Sequence, residues 1–393
     1  MSLSAWRAGA PGELAPLAVY VHWPYCARIC PYCDFNVVRD RGQAEQAALA
    51  QAIISDLRGQ AATLGARRLV SIFFGGGTPS LMDPEWVAAI VAEARALWPA
   101  PELAEVSLEA NPTDAEAGRF AGFAAAGVNR LSLGVQSLDD AALRFLGRNH
   151  NAAEARRAIA LAGAVFPRLS IDLIYARPGQ TPAEWAIELG QAIELGAEHV
   201  SPYQLTIERG TPFDRAVGRK LFTPPDPDAA ASLYETTEAV LGAAGFDAYE
   251  VSNHARGPDA RSRHNLAYWR GEDYLGVGPG AHGRLTRGGG RLGTQAEPKV
   301  AAYIARVADS SSGIADVEML QPRDVAIERL LLGLRIDEGV GWDEVAALGL
   351  GPAAPGVAHL VVEGLVEASA SRLIATRKGR AVLDSLVSAL VPD

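Results

Sequence analysis

Cysteine is scarce in this 393-residue chain: there are three, and all fall between Cys26 and Cys33. An odd number, with no further thiol elsewhere, excludes a paired disulfide framework. No stretch approaches eighteen apolar residues without a charge, so no membrane span is expected. The opening MSLSAWRAGAPGELAPLAV is interrupted by Pro and Gly before any apolar run reaches signal-peptide length. Basic residues are in the minority, with 36 Lys and Arg against 46 Asp and Glu, a net charge of -10. That balance speaks against a protein built to bind nucleic-acid backbone. Internal repeats and low-complexity tracts are also lacking. Clustered thiolates persist in a reducing compartment, so the expected location is the cytoplasm.

What is present is hydrophobic and regularly patterned. About half the residues (49%) are hydrophobic, enough for a sizeable core, and the length suggests one large domain plus a smaller one. Short apolar runs alternate with Ala-rich helical stretches, the pattern of βα units around a parallel sheet. Candidate strands are 17–22, 69–74, 105–109, 130–134, 169–174 and 199–205, with a doubtful seventh at 247–251. Helices are expected at 44–64, 84–97 and 230–244. Informative polar residues fall at the carboxyl ends of the strands, where parallel barrels place their sites. The expected fold is α/β, a partial (β/α)6 barrel with a small carboxyl-terminal winged-helix-like module. The expected divisions are a flexible tail at 1–14, the barrel at 15–252, a connecting region at 253–320 and the module at 321–393. Within the module, helices are expected at 323–334, near 342–348 and at 354–363, followed by a hairpin wing from 365–367 and 373–376. Its few basic residues (Arg372, Arg377, Lys378, Arg380) favour packing on protein over contact with DNA.

The three cysteines are spaced C-x3-C-x2-C within Tyr20–Asn36, YVHWPYCARICPYCDFN. Three thiolates this close can meet one soft metal centre from a single loop. Structural zinc usually takes four ligands from two separated knuckles, and a four-iron cluster usually takes four cysteines. Three would leave one iron open for chemistry. The plainer alternative is three inert buried thiols.

The loop resembles that of radical S-adenosylmethionine (SAM) enzymes. YVHWPYC and PYCDFN resemble the oxygen-independent coproporphyrinogen oxidase-like group within that superfamily, and most closely its HemW-type haem-chaperone branch. The resemblance implies a 4Fe-4S cluster on Cys26, Cys30 and Cys33, with SAM chelating the open iron, and an electron donor to reduce the cluster. It implies that Gly76, Gly77 and Thr78, in Gly75-Gly76-Gly77-Thr78-Pro79, contact SAM; glycines there let backbone approach a ligand, although a tight turn would also use them. Glu109, Gln136, Arg148 and Asp172 match the superfamily's SAM-contacting set in order and spacing. An arginine at 148 suits a carboxylate by its two-pronged fork, and Gln136 and Asp172 suit ribose hydroxyls. Tyr20 and Tyr32 match residues lining SAM and the cluster, with aromatic packing as their other reading.

His264-Asn265-Leu266-Ala267-Tyr268-Trp269 matches the HNxxYW motif associated with haem in the chaperone branch. Imidazole is a common haem-iron ligand, and Tyr268 and Trp269 suit a flat macrocycle. Arg261 and Arg263, with Arg256 and Arg270, are candidate partners for haem propionates. His22, His150, His254 and His282 are rival ligands, and a satisfied loop histidine is the plain alternative. The enzyme branch carries another cysteine two residues after the third, where this chain has Phe35, and a longer amino-terminal arm. The expectation is therefore haem binding and transfer to an acceptor protein. Its alternatives are oxygen-independent coproporphyrinogen III dehydrogenase and a radical SAM protein modifying nucleic acid.

Overall fold

The computed structural model describes residues 14–100 and 104–391. The expected flexible tail lies, apart from Leu14, outside the described residues. Twelve strands form one sheet: β1 (Pro16–Trp23), β2 (Arg68–Gly76), β3 (Glu105–Ala110), β4 (Arg130–Gln136), β5 (Leu169–Tyr175), β6 (His199–Gln204), β7 (Asp247–Glu250), β8 (Asn253–Ala255), β9 (Asp273–Val277), β10 (His282–Arg287), β11 (Gly290–Ala296) and β12 (Ile314–Leu320). Their order across the sheet is β12-β11-β10-β9-β1-β2-β3-β4-β5-β6-β8-β7. Strands β1 to β6 are parallel neighbours in chain order, the six-stranded arc of the partial barrel.

Two departures from expectation lie at the ends of the arc. The doubtful seventh strand is real but does not pair with β6: β8 lies between them, antiparallel to both, so β7 keeps the direction of the arc without joining its parallel row. The seventh parallel strand is β9, on the other side of β1. Its sequence DYLGV is too short and too mixed in character to stand out from a Gly- and Arg-rich stretch. Residues 273–320 then extend the sheet by an antiparallel meander, β9 to β12.

The parallel strands alternate in character, because successive side chains point to opposite faces. One face carries Val19, Val21, Ile72, Phe74, Val106, Leu108, Leu131, Leu133, Ile171 and Leu173, all at 0% exposure, and packs on the helices. The other carries Ser71, Glu105, Ser107, Glu109, Arg130, Ser132, Ser170, Asp172, His199, Ser201 and Tyr203, so the inside of the barrel is polar and hydrogen-bonded.

The helices that cover the apolar face are α1 (Gln43–Leu64), α2 (Pro84–Leu97), α3 (Ala152–Val165), α4 (Pro182–Glu194) and α5 (Pro227–Ala243). Their starts are encoded locally. Asn151 with Glu154, and Thr181 with Glu184, form capping boxes at α3 and α4, and Pro occupies the first turn of α2, α4 and α5.

After β8 comes the short helix α6 (Arg263–Trp269), and α7 (Pro322–Gly333) opens the carboxyl-terminal module. The module has its own core, including Leu330, Leu334, Val340, Val357, Leu373 and Leu386. The expected wing is present as the antiparallel pair Val366–Ala368 and Arg372–Ala375. The helix expected near 342–348 is only a single 3-10 turn, Ala346–Leu348, stopped by Gly349 in the left-handed region. Arg372, Lys378 and Arg380 donate to main-chain carbonyls of Glu338, Glu363 and Ala248, so these basic side chains hold the module together and to the barrel.

Candidate active site

The cysteine loop leaves the carboxyl end of β1, and its course is fixed by backbone bonds to the next strand. Gly77 N–H donates to Trp23 O at 2.7 Å and Thr78 N–H to Tyr25 O at 2.9 Å. A Cβ on Gly77 would lie 2.7 Å from Tyr25 O, and one on Gly76, at φ 108°, would lie 2.5 Å from the His22 ring. The glycines are therefore required by close backbone approach, which also sets Cys26 beside Thr78. Cys33 N–H donates to Cys30 O at 3.2 Å, turning the loop back on itself.

All three cysteines are free thiols. Burial pushes the Cys26 thiol up to about 11, the Cys33 and Cys30 sulfurs add to the rise, and the Thr78 hydroxyl opposes it. Burial likewise raises Cys33. Three thiolates together are thus disfavoured unless a cationic centre sits among them. Among the described residues no three His, Cys, Asp or Glu side chains converge as ligands of one ion would. A four-iron cluster asks for one thiolate per iron, not for convergence on one point, so three thiols on one loop fit such a cluster with one iron left open.

Arg148 joins this loop to the strand ends. Its Nη1 donates to Cys30 Sγ at 3.3 Å and Tyr32 OH at 3.4 Å, and its Nη2 to Gly134 O at 3.0 Å and to Asn111 Oδ1. Both prongs of the expected carboxylate fork are thus already engaged by protein, while buried Nε has no partner and remains for a ligand. Gly147, at φ 69°, lets this turn lie against the cysteine loop, since a Cβ there would be 2.6 Å from Pro31 Cδ.

Glu109 accepts from Gly76 N–H at 3.2 Å. Burial, reinforced by the Asp172 charge, pushes its carboxyl up to about 8. Asp172 is raised by burial against the hydroxyls of Ser132 (2.8 Å) and Ser170 (3.0 Å), which favour its charged form. Gln136 holds φ 64°, a strained value for a residue with a Cβ, and its amide lies over Gly134. Tyr20 hydroxyl bonds His22 Nδ1 at 3.1 Å, and its ring stacks on Phe73. The structure thus gathers Tyr20, Tyr32, Gly76, Gly77, Thr78, Glu109, Gln136, Arg148 and Asp172 around the carboxyl ends of β1 to β5. Cys26, Cys30 and Cys33 would hold the cluster, and Arg148 Nε, the Gly75–Gly77 backbone and the two carboxyls offer the donors and acceptors that SAM needs.

The HNLAYW segment lies deeper, as α6 on the polar inner face beside the amino-terminal halves of β2 and β3. Ser262 caps the helix through Asn265 N–H, and Glu105 accepts from the backbone N–H groups of Arg263 and His264. His264 is 1% exposed; its Nδ1 bonds Ser71 Oγ at 2.9 Å, its ring stacks on Phe73, and Tyr268 meets it edge-on. Its Nε2 is buried without a partner, and burial lowers its pKa to about 3, so the ring is neutral; in the tautomer whose Nδ1–H donates to Ser71 Oγ, Nε2 carries the free electron pair. Trp269 points away, its ring under Arg335, and Arg261 pairs with Asp337 at 2.8 Å, so these two face the carboxyl-terminal module. Of the rival histidines, His254 pairs with Glu238, His150 and His22 bond main-chain carbonyls, and His282 is exposed.

Two contributors escaped the sequence reading. Asn111 bridges Arg148 and Thr78; the strand-end Ala110-Asn111-Pro112 was its only local signal. Asn36 donates to Pro279 O and Pro298 O, tying the cysteine loop to the meander, a contact with no local signal.

A parallel arc with a three-thiol loop, a glycine cradle and an arginine at its carboxyl rim defines a radical SAM protein. The chain matches the Radical SAM superfamily over residues 20–189 and the HemN C-terminal domain over residues 320–382. It is 41% identical to radical S-adenosyl methionine domain-containing protein 1, mitochondrial, of Bos taurus, over 98% of this chain and 90% of that one. It is 37% identical to the heme chaperone HemW of Mycobacterium tuberculosis (strain ATCC 25618 / H37Rv), over 97% of this chain and 96% of that protein. Its fold is that of coproporphyrinogen III oxidase (HemN) from Escherichia coli, with a TM-score of 0.79 at 23% identity, covering 96% and 90% of the two chains. The chain belongs to the HemW family of the radical SAM superfamily. No helix among the described residues is long and apolar enough to cross a membrane.

Proposed function

We propose that this chain is a cytoplasmic haem chaperone: it holds a 4Fe-4S cluster and SAM at the barrel rim, binds haem and passes it to an acceptor protein. The observation that carries the reading is the pairing of a complete cluster loop with the HNLAYW helix inside the same barrel, where His264 keeps an unpartnered Nε2. When bound, the cluster supplies one-electron chemistry, with an electron donor as a further partner. The chain's own residues bind and orient. Arg148 steadies Cys30 and Tyr32, Glu109 accepts from the glycine cradle, and Asp172 lies beside Glu109. Phe35, 62% exposed, stands where the coproporphyrinogen enzymes have another cysteine, which favours transfer over oxidative decarboxylation.

Haem added stepwise to the anaerobically reconstituted protein should bind at one per chain with a saturating change in the optical spectrum. Absence of saturable binding, together with carbon dioxide release from coproporphyrinogen III in the presence of SAM and reductant, would replace the chaperone by the enzyme.

A further inference from the structure

Strand β12, IADVEML, ends the sheet, and among the described residues nothing pairs with its outer edge. Residues 315–319 are exposed on both faces, with Val317 at 56% and Met319 at 53%. The strand contains no Pro, Lys or Arg, the residues that usually blunt an open edge. Its charges are two acids on one face, Asp316 and Glu318, and among the described residues neither is held in a salt bridge. Their cross-strand neighbours on β11, Gln295 and Gly293, carry no charge; Arg284 of β10, lying over Gly293, lends Glu318 a charge that it shares with its ion-pair partner Glu328, and Asp316 faces Gln295.

We propose that β12 is a docking edge for an extended, cationic segment of a partner protein, joined by strand addition. The charge pattern selects the occupant. Two copies of this chain could pair their β12 edges antiparallel about a two-fold axis perpendicular to the sheet. Opposed side chains then lie on the same face, so only registers with an even residue sum are open. Centring on Val317 sets Asp316 against Glu318. Shifting by one residue either way sets Asp316 against itself or Glu318 against itself. Like charges directly opposite are destabilising, so every central symmetric register is opposed.

A partner with Lys or Arg two residues apart reverses that term, because both acids then meet a cation on one face. Apolar residues between the cations would cover Val317 and Met319 on the other face, and the unbranched Met319 adapts to varied partners. Alternate residues of an edge strand also aim N–H and C=O groups outward, which supply the backbone bonds of strand addition. The inference does not depend on haem.

The test uses the full chain and a labelled seven-residue peptide alternating lysine with valine, followed by fluorescence anisotropy at low salt. Saturable binding is expected, at least tenfold weaker when glutamate replaces lysine. Methylating the backbone nitrogens of alternate residues, as two peptides covering the two possible sets, should weaken one of them at least tenfold. The paired change Asp316→Lys with Glu318→Lys should invert the preference toward the glutamate peptide. If that variant fails to fold, hydrogen exchange on the unaltered protein decides: amides of residues 314–320 should slow when the lysine peptide is added. Equal binding of parent and both methylated peptides, no change in exchange at 314–320, or dimerisation through β12 would each overturn the proposal.

Discussion

Arg148 donates through Nη1 to Cys30 Sγ at 3.3 Å, across a separation of 118 residues in the chain. The bond joins the turn after β4 to the cysteine loop after β1, and Asn111 at the end of β3 takes the other nitrogen of the same guanidinium. One side chain thus fixes three strand ends relative to one another.

Arg148→Ala should leave a cluster but weaken SAM, since a hydrogen bond to a charged group is worth about 1.5–3 kcal/mol. The expected loss is roughly tenfold or more in the SAM concentration that half-perturbs the electron paramagnetic resonance signal of the reduced protein. Arg148→Lys should not restore it, because an ammonium cannot serve Cys30, Asn111 and a ligand from one plane. Full rescue by lysine would reduce the role of Arg148 to simple charge.

Cys26→Ala, Cys30→Ala and Cys33→Ala should each abolish the reconstituted cluster, because the chain has no other thiol to substitute. Iron and sulfide assays check this directly. An undiminished cluster in any one of the three variants would remove that residue from the ligand set.

His264→Ala should alter or abolish the haem spectrum, while His282→Ala should leave it intact. The contrast is informative because His264 is 1% exposed and inside the barrel, whereas His282 is at the surface. The reverse outcome would move haem to the outer rim and make His264 a positioning residue for Phe73 and Tyr268.

Glu109 couples stability to pH in the SAM-free protein. Its folded carboxyl is pushed up to about 8 by burial and by Asp172, against roughly 4.3 when unfolded. Between those values the folded state binds more protons than the unfolded state. The contribution is therefore full below the unfolded value and is lost as pH rises through the folded one. Glu109→Gln has no such proton to release, so relative to the natural chain it should gain at least about 1 kcal/mol in urea unfolding between pH 5 and pH 8, less than the full shift of several units implies. Parallel pH profiles for the two proteins would contradict the raised carboxyl.

The ion pair of Arg177 with Glu188, at 2.5 Å, is buried beneath the segment that carries Gln136 and Arg148. Glu188 also accepts from Leu138 N–H at 2.8 Å and from Ser137 Oγ. Arg177→Ala would strand the carboxylate and should cost about 3–5 kcal/mol in global stability. A loss under 1 kcal/mol in chemical denaturation would mean that water reaches Glu188.

Much of the fold was legible because it rests on local chemistry. Capping residues such as Asn151 and Thr181 mark helix starts, and apolar runs such as 69–74 and 169–174 mark strands, within a few residues of where they lie. The cysteine spacing confines three thiols to one loop whatever the rest of the chain does. The alternation in EVSLEA, RLSLG and LSIDLIY was also there to read, and it encodes the polar barrel interior that the sequence reading passed over.

What the sequence determined by itself, then, was the order of βα units, the cluster loop and the carboxyl-terminal wing, since each depends on residues within one turn or one strand of each other. Tertiary structure alone decided that the antiparallel β8 separates β7 from β6 while β9 completes the parallel row, because strand pairing depends on which edge is free. It alone decided that Arg148 has a single nitrogen left over, that Arg261 faces Asp337, and that His264 is enclosed by Ser71, Phe73 and Tyr268. Burial and hydrogen-bond supply are properties of what distant segments bring to a point, and the motif HNLAYW carries the donor but not its surroundings.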